Sequence, residues 1–267
     1  MPTIQEQFFD IGANLTHESF EADLDDVISK AQESGVNRFS ITGSSLNESI
    51  SAIEIAKKFP NSCISTAGIH PHNAKEYSPS SFSEIRDLLE EDVVKSIGET
   101  GLDFYRNFSA AKQQELSFEA HMELAIETRY PLFLHERDAH KRFIEIISPY
   151  KEDLPKSVVH CFTGNKDALE KYIEMGFYIG ITGWLCDERR GKHLIDLIPI
   201  IPLDKLMIET DCPYLLPRDM GIDNSTRNEP QFLKHIAGRI AEIRPESKEL
   251  LFSAIYMNSL DFFDVTF

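Results

Sequence analysis

Residues 93–99, VVKSIGE, form a short apolar run that stops on a carboxylate, Glu99. Three other stretches are built the same way: PLFLH at 131–135 stops on His135, SVVH at 157–160 on His160, and KLMIETD at 205–211 on Asp211. A strand is a rigid platform, and one that ends on a histidine or an acid presents that group at the rim of a sheet. Four such strands in one chain predict an enzyme whose reactive groups gather at one end of a parallel sheet.

Apolar runs of strand length recur on both sides of these four, as FFDIGA from Phe8, RFSITG from Arg38, CISTAGIH from Cys63 and FYIGITGW from Phe177. All are rich in Val, Ile and Phe with little polar alternation, the pattern of parallel strands buried on both faces. Helical patterns lie between them. Phe20, Leu24, Val27, Ile28 and Ala31 share one helix face, while Glu18, Glu21, Asp25 and Lys30 take the other. Ser81 with Glu84 reads as a capping box, and Gly35 and Gly176 sit where helices end. Eight strands with helical connections in about 250 residues predict an α/β fold, a (β/α)8 TIM barrel, with a doubly wound open sheet as the alternative. No linker or repeat divides the chain, so 1–267 reads as a single domain. Two helical patterns in the tail from Glu229 to Phe267 are expected to cover the last strand and close the barrel wall.

A net charge of −17 argues against nucleic-acid binding by bulk electrostatics, so an anionic substrate needs divalent cations or locally gathered arginines. The start, MPTIQEQFFD, has no leader pattern, and no apolar stretch approaches membrane-spanning length, which predicts a cytoplasmic protein with no membrane partner. The cysteines, at 63, 161, 186 and 212, form no C-x-x-C pair and are expected to be reduced. Nothing in the charge pattern calls for self-association, so a monomer is expected.

Glu99, His135, His160 and Asp211 end strands 4, 5, 6 and 8. Two imidazoles with two carboxylates form a mixed nitrogen and oxygen set suited to Zn2+, Mn2+ or, with waters, Mg2+. A lone strand histidine is more often a core residue, but four such groups at equivalent strand ends are hard to bury without a use. His70, ending strand 3 in GIHPH, is a fifth contributor on the same face, whereas His72 reads as a loop residue. His17, His121, His193 and His235 are expected on solvated surfaces. Arg106, Arg137, Arg189, Arg190, Arg218 and Arg227 all follow strands, so they fall on the same face as phosphate-binding groups. Phe104, Tyr105, Phe162, Trp184 and Tyr214 are positioned to stack on bases. No G-x-S-x-G elbow, P-loop or dinucleotide fingerprint is present.

Longer motifs then fall into a known order: STAGIHPH from Ser65, IGETGLDFYRNFS from Ile97, PLFLHERDAH from Pro131, VVHCFTG from Val158, GITGWLCDERRG from Gly180, IETDCPYLLPRD from Ile208 and TRNEP from Thr226. Together, from about Phe9 to the C-terminal helices, they resemble the TatD deoxyribonucleases, in particular the TatD proper branch. The resemblance implies an amidohydrolase-like barrel and a metal-dependent 3′-5′ exodeoxyribonuclease that prefers single-stranded ends, with a role in DNA repair or degradation. It implies Glu99, His135 and His160 as metal ligands, Glu99 and Asp211 as catalytic residues, Asp211 also approaching the metal, and Mg2+ as cofactor, with Mn2+ or Zn2+ as alternatives. His70, Arg106, Arg137, Trp184, Arg189 and Arg218 are the expected substrate contacts, with DNA first and RNA second as the polymer. Many relatives begin F-D-x-H-x-H, whereas this chain has Gly12 and Asn14 at the two histidine positions. Two other readings stay open on the residues alone: hydrolysis of a small amide, ester or phosphoester, and a non-catalytic barrel that binds.

Overall fold

The computed structural model describes residues 6–266; residues 1–5, read above for a leader, and residue 267 at the end of the tail lie outside it. The eight runs form β1 (Phe8–Ala13), β2 (Val36–Ile41), β3 (Cys63–Ala67), β4 (Val94–Asp103), β5 (Leu132–Arg137), β6 (Ser157–Val159), β7 (Tyr178–Ile181) and β8 (Leu206–Ile208). Each pairs in parallel with the next, in the order β1 to β8. The ring closes just past β8, where the Asp211 N–H donates to Gly12 O at 2.9 Å and the Asn14 N–H to Cys212 O at 3.0 Å. The buried Asp10 carboxyl adds a side-chain link, accepting from the Thr210 N–H at 2.9 Å and bonding the Thr210 hydroxyl. This is a (β/α)8 barrel, not an open sheet.

Among the described residues, nine α-helices accompany the strands: α1 (Leu24–Glu33), α2 (Leu46–Lys58), α3 (Pro79–Leu88), α4 (Ala111–Thr128), α5 (His140–Ile147), α6 (Lys166–Glu174), α7 (Lys192–Leu197), α8 (Leu233–Ile243) and α9 (Lys248–Phe263). Gly35 and Gly176 follow α1 and α6 with φ of +92° and +78°, the left-handed turn-off that glycine adopts at least cost. Helix α3 starts three residues earlier than Ser81 and Glu84 suggest. Ser78 is its cap, bonded reciprocally with Ser81, because Pro79 with its preset φ takes the first helical position.

The apolar interior divides in two. Phe9, Ile11, Ile64, Phe133, Val158, Tyr178 and Met207 fill the barrel lumen together with Phe262 and Phe263 from α9. Phe263 stacks on Phe9 at 5.4 Å and Phe262 meets Tyr178 edge-on at 5.4 Å, both near the starts of their strands. The tail therefore plugs the N-terminal end of the lumen as well as covering the wall. With that end stoppered, the opposite rim is left open for chemistry. No helix among the described residues is long and apolar enough to cross a membrane.

Candidate metal centre

Glu99 does not end its strand. β4 runs on to Asp103, and between Ile97 and Thr100 it takes three residue steps against two on β5, from Leu132 to Leu134. The extra residue makes a bulge, a device that bends a strand and re-aims a side chain. Gly98 and Gly101 bracket it, both at φ +139°, and a side chain on either would strike the β5 backbone at Phe133 or His135. Only glycine permits that approach, so the IGETG spacing is what turns Glu99 inward.

The Glu99 carboxylate is surrounded by imidazoles. Its Oε1 lies 2.7 Å from His160 Nε2, 2.8 Å from His135 Nδ1 and 3.1 Å from His70 Nε2. Burial pushes its pKa up, but the charges of His160 and His70 and the hydrogen bonds from His135 and His160 outweigh that and hold it well below the ordinary value. His160 responds in the opposite sense: burial lowers it, and the carboxylates of Glu99 and Glu209 carry it well above the usual imidazole range. Such a pocket favours positive charge at its centre. His135 Nε2 is buried, 3.4 Å from Asp103 Oδ2, and makes no well-aligned hydrogen bond. Ligand atoms of His70, Glu99 and His135 lie within 4.8 Å of one another, a spacing that fits a single divalent ion with nitrogen and oxygen donors.

Asp211 lies beyond β8 in left-handed backbone, φ +54°. Its Oδ1 accepts from Asn14 Nδ2 at 2.9 Å. Burial raises its pKa to about 7; His160 opposes the rise, and the nearby Glu99 and Glu209 carboxylates add to it. Asn14, at the position of a first-strand histidine, thus supplies a donor to the acid.

Two acids here escaped the sequence reading. Asp103, buried at the end of β4, lies 2.8 Å from His72 Nε2 and accepts the N–H groups of Tyr105 and Arg106. Burial raises its pKa, but the neighbouring His135 and His72 rings and the Arg106 N–H pull it far below the ordinary value. His72 is therefore tied to the site rather than loose in a loop. Glu209 lies fully buried between β8 and His160. Asp103 closes β4 and Glu209 directly follows the apolar run Leu206–Ile208, the same signal that marks Glu99 and Asp211, their neighbours in the chain.

Other expectations need correction. His121 is not on a solvated surface: it is fully buried in α4, accepts the Ile69 N–H at 3.0 Å and donates to Ser117 O. Burial lowers its pKa to about 4. Phe162 is buried in the outer core and offers no face for stacking. The arginines divide. Arg189, Arg190 and Arg218 gather on buried Asp187, at 2.8, 2.8 and 3.8 Å, and Arg218 also pairs with Glu188. Arg227 pairs with Asp23 and Glu229. Arg137 lies over Tyr105 at 4.1 Å and within 5.6 Å of Trp184, whose other neighbour is Arg190 at 4.0 Å. Arg106 extends this ladder at 5.7 Å from Tyr105. Among the described residues, neither Arg106 nor Arg137 has an ion pair.

A family model described as TatD related DNase matches residues 9–264. The chain is 46% identical over 260 residues to the 3′-5′ ssDNA/RNA exonuclease TatD of Salmonella typhimurium, covering 97% of this chain and 100% of that one. It is 49% identical over 256 residues to the protein of that name from Pantoea vagans, covering 96% and 98%. Among solved structures, a TatD family hydrolase from Entamoeba histolytica superposes with a TM-score of 0.84 at 30% identity, covering 96% and 98%. A TatD homologue from Escherichia coli gives 0.91 at 23% identity, covering 98% and 100%. At 11% identity and a TM-score of 0.60, a Xaa-Pro dipeptidase shares the barrel over 97% of this chain and 75% of its own.

Proposed function

Because this chain belongs to the TatD related DNase family, we propose that it is a divalent-metal-dependent nuclease that removes nucleotides from the 3′ ends of single-stranded DNA and RNA. The observation that carries this reading is the Glu99 carboxylate enclosed by three imidazole nitrogens at 2.7–3.1 Å, with Asp211 near neutrality beside it. Its relatives carry the 3′-5′ ssDNA/RNA exonuclease name over essentially their whole length.

In this mechanism Glu99, His135 and His160 would hold the cation, which we propose to be Mg2+, with Mn2+ or Zn2+ able to replace it, while His70, whose Nδ1 already accepts the His72 N–H, would face the substrate. The chemistry a bound divalent ion supplies is Lewis acidity toward a phosphodiester oxygen and a water. Asp211 takes the proton from the attacking water and returns it to the leaving oxygen. Its pKa near the working pH suits both halves of that task. Asn14 holds Asp211 through Oδ1, leaving Oδ2 for the proton. Asp103 steadies His135 and His72 from behind. Arg137, framed by Tyr105 and Trp184, and Arg106 grip the strand next to the scissile phosphate, by charge on phosphate and by stacking on a terminal base. Arg189 and Arg218 serve this step less directly, as members of the Asp187 cluster that shapes the loop after β7. The four unpaired cysteines support a reducing, cytoplasmic setting, and a site complete within one chain supports a monomer.

The test is digestion of a 5′-labelled single-stranded oligonucleotide with Mg2+, Mn2+ or Zn2+ by wild type and Glu99→Ala. The expected outcome is a ladder shortening from the 3′ end for wild type, and at least a 100-fold slower one for the variant with its fold intact. An unchanged ladder from Glu99→Ala would overturn the site.

A further inference from the structure

The mechanism above makes no use of Glu209, although it lies next to the centre and is fully buried. Its two oxygens are both engaged. Oε1 accepts the Cys161 N–H, and Oε2 lies 3.3 Å from His160 Nδ1. The opposite ring nitrogen, His160 Nε2, is the one that faces Glu99 at 2.7 Å. Glu209 thus touches the far side of the imidazole from the centre.

The slot that holds it has two glycine walls. A Cβ built on Gly12 of β1 would overlap Glu209 Oε2, and one on Gly180 of β7 would come within 2.6 Å of Oε1. Neither glycine has positive φ, so backbone geometry does not call for glycine at either place. The carboxylate does. β1 and β7 flank β8, and both give up a side chain where Glu209 leans across.

Resting on the metal-centre reading above, we propose that Glu209 is a positioning residue that accepts a hydrogen bond from His160 Nδ1–H, and that Gly12 marks the space this acid fills. An imidazole can offer Nε2 to a cation only if its remaining proton stays on Nδ1, and that proton, buried here, needs an acceptor. Glu209 is that acceptor. The glycine at a first-strand histidine position is then a change in what occupies the space, since a histidine at 12 and Glu209 in its present pose exclude each other.

Glutamine at 209 keeps the shape but has one acceptor oxygen and one donor arm, so it cannot accept from both Cys161 N–H and His160 Nδ1–H through separate oxygens. The experiment uses Zn2+, a diamagnetic probe, with wild type, Glu209→Gln and Gly12→Ala. Ring-nitrogen NMR of zinc-loaded wild type is expected to show His160 protonated at Nδ1 and coordinating through Nε2. Calorimetry is expected to show zinc binding about 10- to 100-fold weaker in both variants at unchanged stoichiometry. A wild-type complex with an unprotonated Nδ1, or a Glu209→Gln protein with wild-type zinc affinity, would overturn the assignment. Loss of the ion from Glu209→Gln at saturating zinc would also overturn it, by making Glu209 a ligand. Should Glu209→Gln not fold, the wild-type NMR spectrum and Gly12→Ala decide the matter. Wild type that binds no zinc defeats the metal centre itself; equal binding in wild type and Glu209→Gln defeats only the role given to Glu209.

Discussion

The Asp211 carboxyl is pushed up to about 7 by burial, with the Glu99 and Glu209 charges adding to the rise and His160 and the Asn14 amide opposing it. As the base it works only when ionised, so log kcat/KM should rise with pH and level off above this pKa. A cation held beside it favours the ionised form, which puts that acid limb at or below pH 7. Asn14→Ala removes the donor at 2.9 Å and should move the limb upward by about 1 unit, since a hydrogen bond to a charged group is worth roughly 1.5 kcal/mol. Asp211→Asn should lose about 10²- to 10⁴-fold in kcat and have no limb; the pH–rate profiles of the three proteins check both statements. Strand periodicity exposed Glu99, His135, His160, Asp211 and His70 because a reactive group ending an apolar run breaks its pattern. Glu209 and Asp103 stayed hidden behind Asp211 and Glu99 on the same stretches of chain, and what identifies them is a partner distant in sequence, His160 for one and His72 for the other. His121 misled because a histidine on a helix looks like a surface residue, whereas its partners are the Ile69 N–H and the Ser117 carbonyl.

Among the elements, the β1–β8 seam depends on Asp10, fully buried and pushed up to about 8, chiefly by burial. The folded state therefore keeps a proton that the unfolded chain loses near pH 4. The stability this proton confers is complete below pH 4, falls as pH rises and is gone above pH 8. Asn at this position copies the neutral acid, accepting from Thr210 N–H and donating to the Thr210 hydroxyl. Urea melts in chelator should show wild type losing about 3–4 kcal/mol relative to Asp10→Asn between pH 5 and pH 8. The α9 plug makes a different prediction. Phe262→Ala empties space beside Tyr178 and Phe263 and should cost about 3–5 kcal/mol by denaturant melts, while activity well below the melting point stays unchanged. The eight strands were legible because each is a distinct apolar run. The bulge in β4 was not, since it is a mismatch of register between two strands, and α9 revealed its helical period but not which end of the lumen it would stop.

For the whole molecule, a net charge of −17 must be reconciled with a polyanionic substrate. Much of the arginine at the rim is already spent: Asp187 and Glu188 hold Arg189, Arg190 and Arg218, and Asp23 and Glu229 hold Arg227. What stays open to phosphate is the ladder of Arg106 and Arg137 on Tyr105 and Trp184. Sequence order put these arginines at or beyond the C-terminal ends of their strands, but their pairing with acids depends on side-chain geometry that order does not carry. Binding should therefore be local and shallow in its salt dependence. Each phosphate neutralised on a single strand adds about −0.7 to the slope of log K against log salt concentration. Two guanidinium contacts predict a slope of about −1.4, against the much steeper dependence of proteins with a basic face. Fluorescence anisotropy of a labelled oligonucleotide on Asp211→Asn, which cuts slowly enough for binding to be read first, gives that slope directly. Adding Arg106→Ala and Arg137→Ala should bring it close to zero and weaken binding, whereas adding Arg189→Ala should change it less, because that guanidinium is already held by both oxygens of Asp187. A slope steeper than about −3 would mean that the acid-paired arginines exchange partners with the substrate, and that the rim acts as a single reservoir of charge.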